Sequence, residues 1–448
     1  MYIQKAEIKN IRSIINFEIE FKNPAGWHVL IGDNGAGKST IVRSMALALV
    51  EKAASGLRAN WEDWIRKNNQ VGTIKLNVQR DLDLDKCRHY AIAPGDLGHL
   101  PNAETLKDLV YEIYLRKNST EVNEILGDKK DYLSGITTRK LFDFPDVYYS
   151  WSVNSGFFSV AFGPYRRFEG GNEEWEKIFK NPSYANLAAH LSVFDESVAL
   201  TEPISWLKEL NYKWLEKNKE SQHTLENLKR LINSEDFLPH NTQLESVSSD
   251  GVFFKDGNNT IILVNQMSDG YRSILSMTFE LIRQLVRVYG SELVFKNIKK
   301  GEMFIDLPGV VLVDEIDAHL HPTWQTRIGQ WFLKCFPKLQ FIVTTHSPLV
   351  CRAAENGSIW RLAAPGSDEK SGEITGLDRE RLIYGNVLDA YGTEVFGENV
   401  SISEEANEML NRLSELNVKS MMGLIEDKET EELQKLRAIL PTENKVNL

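Results

Sequence analysis

Cysteine is scarce in this chain: Cys87, Cys335 and Cys351 are the only three in 448 residues. They form no CxxC pair, which excludes a disulfide framework and points to buried thiols in a reducing compartment. Long apolar runs are missing too; none approaches the ~20 residues that span a bilayer. Met1-Tyr2-Ile3-Gln4-Lys5 also lacks the apolar stretch of a secretory leader. A cytoplasmic protein with no membrane partner is expected. Positive charge is in deficit, with a formal net charge of -11, so the surface as a whole cannot grip nucleic acid, although a local basic groove stays open to it. The basic clusters, Lys296, Lys299 and Lys300 and the pair Arg166 and Arg167, are short and read as solvated loops. Sustained heptads are absent. Residues 203–234 read as helix, with Trp206, Leu207, Leu210 and Trp214 on one stripe and Leu225, Leu228 and Leu231 on a second, too short for an extended coiled-coil arm.

What the chain does carry is a glycine loop of a defined kind. Gly32-Asp33-Asn34-Gly35-Ala36-Gly37-Lys38-Ser39-Thr40 meets the pattern G-x-x-x-x-G-K-[ST]. Residues 27–31 before it read as a short buried strand, and residues 40–52 after it as a helix with an apolar stripe. In that setting the glycines let the main chain curl around a phosphate, while successive N–H groups and the helix N-terminus supply partial positive charge. Lys38 would reach the β- and γ-phosphates, and the Ser39 hydroxyl would ligate Mg²⁺.

Gly309-Val310-Val311-Leu312-Val313 reads as a fully buried strand whose end carries Asp314 and Glu315. Two carboxylates there are costly unless a cation or a reacting water accompanies them. Asp314 suits Mg²⁺ held through water, and Glu315 suits polarisation of the attacking water. Another buried strand, Phe341-Ile342-Val343-Thr344-Thr345, ends at His346, placed to touch a γ-phosphate or hold a water, because parallel-sheet sites gather at C-terminal strand ends. Ser268 and Gly270 stand at the start of a helix apolar nearly all round; that tip is either a cap or a phosphate contact. His319 and His321 lie two apart, with no cysteine or third histidine nearby to make a zinc site.

Elsewhere, period-2 alternation in residues 2–31 predicts an antiparallel strand pair leading into the strand before the glycine loop, and residues 71–79 predict another strand. Asp81, Asp83 and Asp85 alternate as on the solvated face of a strand; a stand-alone metal-dependent nuclease built on them is the least favoured reading. Residues 103–139 read as polar helix and residues 147–168 as aromatic-rich strand. The latter end in a loop whose Arg166 and Arg167 could carry polar groups to the nucleotide edge or simply punctuate the chain. Ser358-Ile359-Trp360-Arg361-Leu362 reads as a small β patch. The last fifty residues read as two amphipathic helices, with Met409, Leu413 and Leu416 on one and Leu433, Leu436 and Leu440 on the other, a docking or packing appendage.

Taken in order, these segments resemble an ABC-type ATPase head of the RecF/SMC/OLD branch. The resemblance rests on Asn10-Ile11-Arg12-Ser13, the P-loop from Gly32 to Thr40, the signature-like Met267-Ser268-Asp269-Gly270, the Walker B pair Asp314-Glu315, Ala318-His319-Leu320-His321-Pro322 and His346. It implies an α/β fold: a P-loop sheet with an antiparallel β subdomain, a helical insertion without a long coiled coil, and a C-terminal helical tail. The expected divisions are 1–80 for the N-terminal lobe, 81–250 for a mixed insertion, 251–365 for the C-terminal lobe and 366–448 for the appendage. It further implies ATP and Mg²⁺ as cofactors and two heads that sandwich ATP in a homodimer or higher homo-oligomer. Asn34, Gly35, Ala36, Gly37, Lys38, Ser39, Thr40, Asp314, Glu315 and His346 would then act in cis, Ser268 and Gly270 would meet the γ-phosphate in trans, and Arg12 and Ser13 would lie near the nucleotide. One departure is Asp269-Gly270-Tyr271 in place of a glycine pair and glutamine, which sets a negative charge close to the triphosphate.

Within that branch, Asp-Glu-Ile-Asp-Ala-His-Leu-His-Pro from Asp314 and Thr-Thr-His-Ser-Pro from Thr344 look like the ATPases of bacterial antiphage systems, such as the PtuA subunit of Septu and the ATPase half of OLD nucleases. The tail after Ile359 carries no D-x-D pair of a Toprim domain, and there is no HNH-like His/Asn cluster. A separate nuclease subunit is therefore expected. A RecF-like DNA-repair ATPase that binds DNA directly is the alternative.

Overall fold

A computed structural model of the chain describes residues 1–50, 57, 61–85, 87–91, 107–116, 136–141, 147–151, 157–235, 237–367, 369–386, 404–422 and 425–439. The strands are β1 (Tyr2–Ile11), β2 (Ile14–Glu20), β3 (Gly26–Gly32), β4 (Val71–Gln79), β5 (Cys87–Ala91), β6 (Asp108–Arg116), β7 (Ile136–Leu141), β8 (Val147–Trp151), β9 (Ser159–Phe162), β10 (Gln243–Val247), β11 (Val252–Lys255), β12 (Ile261–Leu263), β13 (Gly309–Val313), β14 (Leu339–Thr344), β15 (Ser358–Leu362) and β16 (Gly372–Glu373). Two sheets dominate. One is antiparallel, in the order β2-β1-β4-β6-β7; the other runs β16-β15-β3-β14-β13-β9 and is parallel except for β16 at its edge. A three-stranded meander, β10-β11-β12, and the pair β5-β8 complete the β structure.

Helix α1 (Lys38–Val50) shares its core with both sheets: Ile41, Val42, Met45 and Leu49 pack in one cluster with Ile3, Ile74 and Leu76 of the antiparallel sheet and with Val310, Leu312 and Ile342 of the parallel one. The run from Met45 to Val50 is apolar throughout, and such a run is stable in a helix only when covered on every side. Gln340 lies within the buried face of β14, and its side-chain amide accepts from the Ile3 N–H at 2.7 Å and donates to the Ile3 carbonyl at 2.8 Å. It thereby satisfies main-chain groups of β1 that the ladder leaves over.

Register places the site. Val313 stands opposite Val343 of β14 and Phe162 of β9, and Leu30 of β3 stands opposite Thr344. Hence the residues that follow β3, β9, β13 and β14 all emerge on the same edge of the parallel sheet, where ligand crevices form.

Several expectations need correction. Asp108–Arg116 is a strand, not helix: Leu109, Tyr111, Ile113 and Leu115 are buried at alternate positions, and that period-2 pattern outweighs the polar residues between them. The stretch 117–135 lies outside the described residues. Asp81, Asp83 and Asp85 do not share a strand face, because Asp81 turns back on the chain and accepts from the N–H groups of Asp83 (3.1 Å) and Leu84 (3.2 Å). Asp85 is instead fully buried, 2.7 Å from the Met1 amino group. Residues 358–362 are no separate patch; as β15 they pair in parallel with β3 inside the main sheet.

The helical expectation for residues 203–234 holds as two helices, Glu202–Leu215 and Lys219–Ile232, packed on each other and joined by a turn in which Lys217 takes a φ of 67°. No long coiled coil is present among the described residues. Two compact units are distinguished, Met1–Tyr384 and Gly385–Leu448. In the second, helices Glu404–Met421 and Asp427–Ile439 close on a small core of Leu413, Leu416, Leu433 and Leu436, with Ile425 against it. Met409 stays 42% exposed, outside that core. Cys335 and Cys351 are free and buried, and among the described residues no helix is long and apolar enough to cross a membrane.

Candidate functional site

The loop that joins β3 to α1 has positive φ at Gly32 (152°), Gly35 (82°) and Gly37 (99°), the conformations its glycines permit. Asn34 and Gly35 are exposed, Ala36, Gly37 and Ser39 half-buried, and Lys38 and Thr40 buried at the start of α1. A Cβ added to Gly37 would stand 3.2 Å from the Ser13 hydroxyl and from Ile14, so the Arg12-Ser13-Ile14 turn between β1 and β2 forms one wall of the loop. Arg12, itself at a φ of 46°, stacks its guanidinium 4.5 Å from the centre of the Trp64 ring. Arg66 donates to the Ser13 carbonyl at 2.8 Å. The Lys38 ammonium donates to the carbonyls of Gly32 (2.6 Å) and Asp33 (3.0 Å), folded over its own loop. Burial lowers its pKa, and the charges of Asp314 and Glu315 oppose that shift.

Across this loop, at the end of β13, the Asp314 carboxylate is buried and accepts at Oδ1 from the Ser39 hydroxyl at 3.0 Å and from the Thr344 hydroxyl at 2.7 Å. Thr344 Oγ1 in turn accepts the Glu315 N–H at 2.7 Å. One threonine on β14 thus holds the Asp314 carboxylate and the Glu315 main chain just after β13. Sequence alone does not mark Thr344, because its two partners follow a neighbouring strand some thirty residues back in the chain. Glu315 is half-buried at a φ of 49°, a left-handed conformation uncommon for a residue with a Cβ and found where surrounding structure enforces it. His346 follows β14 with an exposed ring, and its N–H lies 3.4 Å from Asp317 Oδ2.

The structure therefore brings together Lys38, Ser39, Asp314 and Glu315, with Arg12, Ser13 and His346 flanking them. Ser268 and Gly270 occupy a different setting. Ser268 is exposed at the N-cap of the helix Asp269–Tyr289, and its side chain makes no capping hydrogen bond. Gly270 abuts the turn after β13, where a Cβ would come within 2.9 Å of the His319 carbonyl. Asp269 is paired with Arg272, which offsets the negative charge noted in the sequence. Arg166 is not a surface cation. It is 3% exposed, and its guanidinium is spent on its own head, so only Arg167 of that pair remains half-exposed. His321 caps the short helix Pro322–Gln325, His319 is exposed, and no cluster of three or more His, Cys, Asp or Glu placed to hold a metal ion is found among the described residues.

A glycine cradle with a buried lysine at a helix N-terminus fits a triphosphate. A serine hydroxyl and a carboxylate converging within 3.0 Å form the hard oxygen donor set that suits Mg²⁺.

Comparison with known proteins gives a family and several relatives. Residues 28–352 match the family described as "AAA domain, putative AbiEii toxin, Type IV TA system". The chain is 24% identical to the Septu protein PtuA of Bacillus mycoides (strain KBAB4) over 88% of its own length and 45% of that protein's, so it spans less than half of that relative. It is 30% identical to the "Retron Ec83 probable ATPase" of Escherichia coli, over 91% of this chain and 82% of that one. A second Septu protein PtuA, from Bacillus thuringiensis, is 34% identical over 32% of this chain and 34% of its own. On its P-loop, its buried acidic strand end and a family match that spans both, the chain belongs to this AAA-domain family and is an ABC-type ATPase related to PtuA.

Proposed function

We propose that this chain binds and hydrolyses ATP as the regulatory subunit of a bacterial antiphage defence complex, in which two heads close on ATP and control a partner nuclease. The observation that carries the reading is the convergence of Lys38, Ser39, Asp314 and Glu315 at one sheet edge, while Ser268, exposed at a helix N-terminus, keeps its hydroxyl out of any cap. In the working state the Lys38 ammonium exchanges its two loop carbonyls for the β- and γ-phosphate oxygens, and the loop N–H groups hold the rest of the chain of phosphates. Ser39 and Asp314 would hold Mg²⁺, which would supply positive charge against the negative charge of the phosphates. Glu315, steadied through its own N–H by Thr344, orients and polarises the attacking water, and His346 faces the γ-phosphate from the next strand. Ser268 and Gly270 of a second copy complete the site. The relatives named Septu PtuA and retron ATPase support the defence setting.

Two measurements test this reading. Lys38→Ala in the native operon should abolish phage resistance, and the wild-type chain should co-purify with the product of an adjacent nuclease gene. Full resistance in the Lys38→Ala strain overturns an ATP-controlled role. ATP-stimulated, salt-dependent binding of the isolated chain to duplex DNA would favour the RecF-like alternative instead.

A further inference from the structure

Arg166 follows β9 and is buried, yet no carboxylate partners it among the described ion pairs. Its partners are neutral oxygens. Nε donates to the Ser273 hydroxyl at 2.9 Å; one terminal nitrogen donates to the carbonyls of Gly163 (3.0 Å) and Asp314 (2.9 Å), and the other to those of Glu315 (2.9 Å) and Ile316 (3.4 Å). Burial lowers its pKa to about 10, which leaves it cationic at neutral pH. The charges of Asp317, Asp314 and Glu315 oppose that shift without a direct ion pair; burying a cation on neutral contacts is expensive, and an apolar side chain would fill the space at less cost. What an apolar side chain cannot do is grip three successive carbonyls.

Two of those carbonyls belong to the peptide planes on either side of the Glu315 Cα. The Asp314 carbonyl lies in the plane before it and the Glu315 carbonyl in the plane after it, and the N–H of the first plane is already held by Thr344. With both planes pinned, the strained φ of 49° at Glu315 is fixed. The remaining donor of the same guanidinium reaches Ser273, one turn into the helix Asp269–Tyr289 whose tip carries Ser268 and Gly270. Gly270 touches the His319 carbonyl as well, so the helix and the turn after β13 meet at two points.

We propose that Arg166 is a positioning residue for hydrolysis, fixing the main chain that aims Glu315 and tying that main chain to the helix that presents Ser268. The inference rests on the reading of Glu315 as the group that orients the water. It makes the geometry of the cis base depend on the helix that serves the other head, through one side chain.

The test uses the full-length chain with Arg166→Lys and Ser273→Ala. Lysine keeps the charge but has a single nitrogen that cannot span the same acceptors; alanine cuts only the tie to the helix. Affinity for a fluorescent ATP analogue and KM should stay within about 3-fold of wild type, whereas kcat should fall about 100-fold in Arg166→Lys and about 5-fold in Ser273→Ala, as expected when a reacting group is misplaced and not lost. Amide exchange at residues 314–318 should quicken about 10-fold in both variants. A folded Arg166→Lys protein with wild-type kcat and unchanged exchange overturns the proposal, as does a fall in kcat matched by an equal loss of nucleotide affinity. If Arg166→Lys does not fold, wild-type kcat and exchange in Ser273→Ala overturn it. If the wild-type chain binds ATP without hydrolysing it, the ATPase reading is what fails. The exchange of residues 314–318 then judges the clamp alone: faster in the variants supports it, unchanged sinks it.

Discussion

At the scale of single residues, Thr344 links the Asp314 carboxylate to the main chain of Glu315. Its hydroxyl donates to Asp314 and accepts from the Glu315 N–H. Thr344→Val keeps the shape but leaves that N–H without its acceptor, so stability should drop by about 1–3 kcal/mol and ATP turnover should fall while nucleotide binding survives. Thermal unfolding and steady-state kinetics of the one variant check both halves. His190 and His28 supply a pH dependence of a different origin. Burial lowers the pKa of each from 6.5 to about 4; the ring N–H groups donate to main-chain carbonyls, His190 to Asn186 at 2.7 Å and His28 to Pro24 at 2.9 Å. Because the folded pKa lies below the unfolded one, the unfolded chain takes up protons first as acidity increases. The stability these neutral rings contribute is therefore full above pH 6.5 and is lost as pH falls towards 4; each accounts for about 3 kcal/mol across that window. In denaturant titrations at a series of pH values, His190→Phe should flatten the acid limb; an unaltered slope would remove His190 from the explanation.

At the scale of elements, the helix Asp269–Tyr289 and the turn after β13 behave as one assembly. Tyr271 lies edge-on to Trp324 with ring centres 5.0 Å apart, and Gly270 has no room for a side chain against His319. Gly270→Ala should push the helix tip away from residues 318–320 and reduce turnover at least about 10-fold, since sub-ångström placement matters at a closing site; binding of ATP to the single head, which needs only the P-loop, should be spared. A matching loss of binding would show that the tip serves the cis nucleotide instead. The antiparallel sheet plays a complementary part, because β1 and β2 deliver Arg12 and Ser13 to the wall of the glycine loop.

For the whole molecule, the expected behaviour is closure of two copies on ATP. Glu315→Gln should bind ATP and fail to orient water, so light scattering should find the variant as a dimer or larger assembly with ATP and Mg²⁺ and as smaller species without. A Glu315→Gln protein that hydrolyses ATP at the normal rate would strip Glu315 of its role. One that stays monomeric at saturating ATP would remove the sandwich. With a net charge of -11 on each copy, bulk electrostatics oppose such closure, so ATP and local contacts must drive it.

Local pattern is enough to encode the chemistry: the glycine loop with Lys38 and Ser39, the apolar strand that leads into Asp314 and Glu315, and the helix capped by Ser268. Each is written in a few consecutive residues whose types serve one purpose, so spacing alone reveals them. Tertiary structure decided what lies far apart in the chain. Arg166 looked like half of a surface basic pair because a short sequence window cannot show that β9 lies beside β13; only the register of the parallel sheet brings its guanidinium to carbonyls some 150 residues away. Thr344 and the burial of Asp85 against the Met1 amine were hidden for the same reason. A hydrogen bond between distant segments is fixed by packing, and packing is a property of the folded whole.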